Sequence, residues 1–328
     1  MAASAPGRPV SNRRSTTRPP RGPGRGRLRR VWRHERVRTV TALAPPLLLV
    51  GVLFATAFGF AVTSSLGLSP FVAGDGPTLA AYQRLFTSAE FTRSLALTTY
   101  VAVVATASSV VLGIGAALVL DRARFGRRAA TTLFQLNLPI PHVIGAVAIL
   151  LLLGQSGFVS RLAFQAGLID GPAGFPALVF DPAAIGIIVQ YVWKEVPFIG
   201  IIALAILRSA GDDLDEAART LGASGWQRLR HVTLPVLLPG LVPATVIVFA
   251  FTFGTFEVPL LLGPSFPAVL PVLAHRRYLD VDLAARDEAM AISVVITVIV
   301  VVLVVVGAWA ARRLVRPDAR PQPRAARR

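Results

Sequence analysis

Gly211-Asp-Asp-Leu-Asp-Glu-Ala-Ala-Arg-Thr-Leu-Gly-Ala-Ser-Gly-Trp-Gln-Arg-Leu-Arg-His-Val-Thr-Leu-Pro235 is a polar stretch between two long apolar runs, 183–207 and 236–262. Each run exceeds the roughly 20 apolar residues that carry a helix across a bilayer core. The stretch itself carries helix signals. An aspartate, Asp212 or Asp213, can cap an acidic first turn, which suits the helix dipole. Leu214, Ala217, Ala218 and Leu221 then recur at the spacing of one helical face. Gly222 is placed to end that helix in a left-handed conformation. Ser224 can cap a second helix with an apolar stripe of Trp226, Leu229 and Val232, and Pro235 opens the next apolar run. The pattern predicts two short helices with a glycine turn, held at a membrane surface.

Four further apolar runs lie outward from this loop, at 40–62, 96–120, 132–153 and 289–311. The run at 132–153 is interrupted by Asn137, Pro139, Pro141 and His142. The run at 236–262 carries Pro239, Pro243 and Gly254, and proline is tolerated in a membrane helix when neighbours satisfy the freed carbonyl. The runs are continuous and too long for the alternating ten-residue strands of a membrane barrel. The expected fold is therefore all-α and integral to the membrane, with six spans. Composition agrees, since 54% of the 328 residues are hydrophobic, 16% are charged and mean hydropathy is +0.62. Ordinary soluble domains carry about 25% charged residues. The chain has no cysteine, which excludes disulfides and thiolate metal sites. Its single lysine, Lys194, stands between Trp193 and Glu195, so the chain has no Gly-Lys-Ser/Thr phosphate loop and no ATP site of that kind.

Arginine placement sets orientation. Residues 1–38 hold twelve arginines, the loop 121–131 holds four, and the tail from Arg312 holds seven. The loops 63–95 and 154–182 hold two and one. Six spans put both termini on one side, and the bias makes that side the cytoplasm, together with the loop at about 208–235. The expected organisation is a disordered basic tail at 1–38, a six-span domain at 39–312 and a second basic tail at 313–328. Pro, Gly, Ser and Arg without apolar periodicity favour a solvated tail that touches anionic lipid over a nucleic-acid arm. The first apolar run lies far from the N-terminus, unlike a cleaved signal peptide.

The apolar faces of the 208–235 loop fit two roles, resting on lipid headgroups or docking a cytoplasmic protein. Glu216-Ala217-Ala218, then Gly222, then Leu234-Pro235 resembles the EAA loop of permease subunits of binding-protein-dependent ABC importers. Ala223, Ser224 and Trp226 fit variants of that loop, and the likeness spans roughly residues 40–312. The resemblance implies the type I (MetI-like) permease architecture, in a bacterial inner membrane. It implies an ATP-binding cassette ATPase dimer docked on the loop, with Glu216, Ala217, Ala218, Gly222, Leu234 and Pro235 at the coupling site. It also implies a second permease subunit, identical or different, and an external substrate-binding protein. Nucleic acid and cofactors are not expected. Trp193-Lys-Glu-Val-Pro197-Phe198 and Phe256-Glu257-Val-Pro259-Leu-Leu-Leu-Gly263 look like the spermidine/putrescine-type branch, which implies a polyamine-like cation. Importers of ferric iron, thiamine, phosphonates or sugars are the neighbouring alternatives.

Lys194 falls about 16 Å into the fourth span, where a charge costs a few kcal/mol. Adjacent helix residues do not face each other, so Lys194 and Glu195 each need another partner or a wet cavity. Lys194, Glu195 and Glu257 are candidates for a translocation path, with a structural ion pair as the competing role. His34, His142, His231 and His275 lack metal spacing, and no nucleophile constellation is present, so neither a metal site nor catalysis is expected. Thr87-Ser-Ala-Glu90 fits a capping box ahead of the second span. A self-contained secondary transporter or channel is the alternative class; it predicts inverted repeats, which the sequence does not display, and leaves the acidic loop unexplained.

Overall fold

The computed structural model describes residues 25–68, 76–123, 126–211 and 213–314, with backbone alone at 25–37, 127 and 314. Every regular element among them is helical. The long helices are α1 (Arg25–Ser65), α3 (Ala89–Arg122), α7 (Ile185–Ala210), α10 (Leu234–Gly254) and α13 (Ala284–Leu314). Between them lie α2 (Ala80–Thr87), α4 (Arg127–Gln135), α5 (His142–Leu153), α6 (Phe158–Gln165), α8 (Asp213–Thr220), α9 (Gly225–Arg228), α11 (Glu257–Leu262) and α12 (Leu270–Tyr278). Six helical segments are long and apolar enough to cross a membrane: Arg38–Ser65, Ala89–Arg122, His142–Gln165, Ile185–Ala210, Gly225–Gly254 and Ala284–Arg313.

Residues 1–57 and 58–328 form separate units. The described part of the first is helical from Arg25, inside the stretch expected as a tail; arginine is a good helix former. Residues 1–24 and 315–328, which hold most of the two expected tails, lie outside the described residues. Leu47, Leu48, Val50 and Phe54 of α1 are all exposed, the surface a span offers to lipid.

In the second unit α7 is the central helix. Tyr191, Ile187, Ile199 and Ala203 are fully buried, and the helix contributes to two of the three apolar clusters. Its approach to α3 is set by small residues. A Cβ on Gly113 would stand 2.8 Å from Ile199 Cγ2 and 3.1 Å from the Gly200 nitrogen. Close backbone approach of this kind supplies the dispersion contacts that hold membrane helices together, where hydrophobic burial gives little.

Two spans differ from the sequence expectation. The third is broken. Pro139 and Pro141 lack the N–H groups that a helix would return to Gln135 and Asn137, so α4 stops at Gln135 and α5 starts at His142. The fifth was expected to run to residue 262, but it ends at Gly254, Thr255 turns extended, and α11 starts afresh at Glu257. Its other end is longer than expected. Helix α9 continues through a π-helical turn at Leu229–Thr233 into α10, so Pro235 sits inside a continuous Gly225–Gly254 rod rather than opening it. The wider turn absorbs a proline that cannot donate to the carbonyl four residues back.

The expected capping box also shifts by one residue. Ser88, not Thr87, caps α3 and accepts from the Phe91 N–H at 3.4 Å. Thr87 ends α2, its hydroxyl bonded to the Gln83 and Arg84 carbonyls. Glu90 instead pairs with Arg277 of α12 at 2.7 Å, while Arg84 of α2 pairs with Glu288 of α13 at 2.7 Å. The first pair ties the start of the second span to α12, and the second ties α2 to the start of the sixth.

Candidate functional site: the loop between the fourth and fifth spans, and the broken third span

The loop folds largely as its residues dictate. Asp213 is the first residue of α8, so it does not cap that helix; Asp212 lies outside the described residues. Gly222 closes α8 with φ +78°. The Gly222 N–H donates to the Arg219 carbonyl and the Ala223 N–H to the Ala218 carbonyl, both at 3.0 Å, the paired bonds of a Schellman turn. Ser224 then caps α9 in a reciprocal box: its hydroxyl accepts from the Gln227 N–H at 3.3 Å, and Gln227 Oε1 accepts from the Ser224 N–H at 2.7 Å. Arg228 Nη1 donates to Asp215 Oδ2 at 2.6 Å and locks the two short helices together. Asp215 is 41% exposed, so this pair adds at most about 1 kcal/mol.

What the loop leaves bare is informative. Leu214 is 56%, Leu221 87% and Trp226 68% exposed. Glu216, Ala217, Gly222 and Pro235 are exposed beside them, with Ala218 and Leu234 half-buried. A Cβ on Gly222 would meet nothing within 4 Å. The loop is thus a stiff, capped hairpin of helices that leaves Leu214, Leu221 and Trp226 exposed, while Leu229 and Val232 are half-buried. A cavity of about 960 Å³ at its root is lined by Asp215, Glu216, Arg219 and Arg228, and by Asp121 and Arg128 around the loop that follows α3.

The second polar centre is where the third span breaks. Lys194 Nζ donates to the Asn137 carbonyl at 2.6 Å and to the Leu138 carbonyl at 2.9 Å. Pro141 has no N–H to give to the first of these; that carbonyl accepts instead from the Ile140 N–H at 3.2 Å and from the ammonium, which adds a second donor. Asn137 Nδ2 reaches back to the Trp193 carbonyl, and Gln190 Nε2 donates to the His142 carbonyl at 2.9 Å. Lys194 is 5% exposed. Two charge-assisted bonds at about 1.5–3 kcal/mol each match the few kcal/mol that a charge costs at this depth.

Glu195 turns away from its neighbour. It meets His142 Nε2 at 3.3 Å, and the His142 ring lies 4.6 Å from that of Phe251 in α10. Lys194 and Glu195 therefore find the separate partners that helix geometry requires, Lys194 in the break and Glu195 at the first residue of α5. Glu257 is elsewhere, half-buried in the first turn of α11, where a carboxylate suits the dipole. The Tyr191 hydroxyl lies within electrostatic reach of both Glu257 and Glu195. Tyr191 Oη, Gln190 Oε1 and Asn137 Oδ1 are buried without a hydrogen-bond partner among the described residues. Sequence reasoning missed Asn137, Gln190, Tyr191 and His142 as members of this centre. The paired prolines were the available signal, because they announce carbonyls that something must satisfy. No group of three or more His, Asp or Glu able to hold a metal occurs among the described residues.

Six apolar helices joined, between the fourth and fifth, by a capped loop with exposed apolar side chains define a multi-pass membrane protein. Residues 109–317 match the family of binding-protein-dependent transport system inner membrane components, and the chain belongs to it. It is 34% identical over 214 residues to the molybdenum transport system permease protein ModB of Mycobacterium tuberculosis, covering 65% of this chain and 76% of that one. It is 27% identical over 210 residues to the sulfate transport system permease protein CysW of Synechocystis, covering 63% and 72%. The fold matches a bacterial ABC transporter involved in import of the acidic polysaccharide alginate, with a TM-score of 0.69 and 23% identity over 88% of this chain and all of that one. The type I permease architecture expected from the loop motif is therefore the observed one.

Proposed function

We propose that this chain forms half of the translocation path of an ATP-driven importer, with both termini cytoplasmic, and that its solute is a small oxyanion of the molybdate or sulfate kind. ATP hydrolysis occurs in a separate ATPase dimer that seats on the 208–235 loop. A second permease subunit completes the path and an external binding protein delivers the solute. The observation that carries the docking role is the exposed Leu214, Leu221 and Trp226 on a loop stiffened by its own caps. Large exposed apolar side chains on a rigid element mark a partner surface. Glu216, Ala217, Ala218 and Gly222 lie on the same hairpin, and Leu234 and Pro235 at its exit. Closure of the ATPases would push this loop and rock the spans between inward-open and outward-open states.

The oxyanion reading rests on the named relatives, ModB and CysW. The polyamine-like cation rests on the likeness of residues 193–198 and 256–263 to the spermidine/putrescine-type branch, with Glu195 and Glu257 as candidate path residues. Glu195 is engaged by His142 and Lys194 by backbone carbonyls, which leaves Glu257 and the unpaired Tyr191 hydroxyl as the side chains best placed along a path. Uptake of radiolabelled molybdate, sulfate and spermidine by cells with and without the chain decides the solute. Oxyanion uptake that depends on the chain and ignores excess spermidine is expected. Chain-dependent spermidine uptake would overturn the oxyanion reading and restore the cation.

A further inference from the structure

The fourth span and the broken third span are joined by more than packing. Four hydrogen bonds cross between them at one level: Lys194 to the Asn137 and Leu138 carbonyls, Gln190 to the His142 carbonyl, and Asn137 back to the Trp193 carbonyl. Each involves a backbone carbonyl: two in the break (Asn137, Leu138), one at the first residue of α5 (His142) and one in α7 (Trp193). The helices flanking the break also press on α7. A Cβ on Gly200 of α7 would stand 2.7 Å from Phe134 Cζ of α4, and a Cβ on Gly145 of α5 would stand 2.9 Å from Gln190 Nε2 of α7. The same α7 leads directly into the loop, since only Gly211 and Asp212 separate its end from α8. From Lys194 to Ala210 the rod is about 24 Å long.

We infer that Lys194 is a positioning residue for transport: it locks the break at 136–141 to the fourth span, so that a push on the 208–235 loop moves α7, the break and α5 as one body. A helix break at membrane depth is a natural hinge, because Pro139 and Pro141 remove two donors from the ladder and only tight-turn bonds such as Ile140 N–H to the Asn137 carbonyl remain. Here the hinge is fastened from the side by an ammonium on the rod that leaves the docking loop. Movement of the loop then reaches the outer half of the third span without loss in the bend. The inference rests on the importer reading, because that reading supplies the push.

The test uses the chain assembled with its ATPase and second permease in lipid nanodiscs. The absence of native cysteine allows spin labels at Leu151→Cys on α5 and Ser209→Cys on α7, both exposed positions. Pulsed EPR reads their separation with and without trapping by nucleotide and vanadate. With Lys194 present, the distance should stay constant within about 2 Å between the two states, as for a rigid body. With Lys194→Met, the resting distance should be kept and the trapped distance should shift by about 3 Å or more, while Lys194→Arg, which can also donate to two carbonyls, should restore constancy. A distance that changes on trapping in the unsubstituted chain overturns the inference. So does Lys194→Met that stays constant in both states, or that is already displaced at rest, which would mark a support and not a transmitter. If Lys194→Met does not assemble, Gln190→Met removes a single bond and is judged by the same criteria. Failure of the importer reading shows separately, as an unsubstituted chain that holds no ATPase.

Discussion

Replacing Gly222 separates conformation from size at the proposed coupling site. Its φ of +78° lies in the left-handed region, where a residue with a Cβ is strained by about 1–2 kcal/mol. Nothing in the chain lies within 4 Å of the added atom, so Gly222→Ala carries this backbone term and no internal clash. The Schellman bonds from Gly222 and Ala223 hold only that turn, so the strain falls on the α8–α9 hairpin and not on the spans. If the hairpin must keep this shape to seat the ATPase, apparent affinity drops by the equivalent factor of about 5–30. Asparagine enters the left-handed region more readily than alanine, so Gly222→Asn should recover part of the loss despite its larger side chain. The assay is titration of purified ATPase against the chain in nanodiscs by microscale thermophoresis, with the unfolding temperature of the chain as control. Binding by Gly222→Ala as tight as that of glycine would refute the conformational argument. Weaker binding by asparagine than by alanine would show that size, and not backbone shape, governs the position.

Other outcomes follow from named contacts. Trp226→Ala, 68% exposed in the chain alone, should leave thermal unfolding unchanged and weaken ATPase binding by about 2 kcal/mol or more, as an aromatic anchor does; equal binding would place Trp226 in lipid instead. Ser88→Ala should cost about 1 kcal/mol in unfolding measurements, the loss of an N-cap, whereas Thr87→Ala should stay within about 0.5 kcal/mol; the reverse order would favour the Thr87 box. Gly307 packs against Val246, and an added Cβ would collide with it. Gly307→Ala should therefore destabilise the contact between α10 and α13 by about 1–3 kcal/mol, and Val246→Ala in the same chain should suppress much of that loss; additive effects would remove the contact as the cause.

Span number and fold class were legible because continuous apolar runs have one solution in lipid, the helix. The turn at Gly222 and the cap at Ser224 were legible because each is a local bond between residues a few positions apart. The partners of Lys194 and Glu195 were not. The need for them was plain, yet Asn137, Leu138 and His142 lie more than fifty residues earlier in the chain, and no periodicity relates such positions. The end of the fifth span was misplaced for a different reason. Residues 255–262 are apolar enough to continue a helix, and the local signal, Pro259 with no N–H for the Thr255 carbonyl, looks no different from Pro239 and Pro243, which α10 keeps inside it. At residues 87–88 two hydroxyl residues compete for one cap. The choice fell to Ser88 because the Thr87 hydroxyl is bonded back into α2.

Purification of the tagged chain from its native membranes in mild detergent, followed by identification of everything bound and by an ATPase assay, tests the central claim most directly. The account predicts an ATPase and a second six-span subunit in the complex, with ATP hydrolysis that Gly222→Asp abolishes by releasing the ATPase while the second permease stays. A correctly inserted chain that comes down alone under several gentle conditions, or that transports solute without ATP, would contradict it and return the secondary-transporter class.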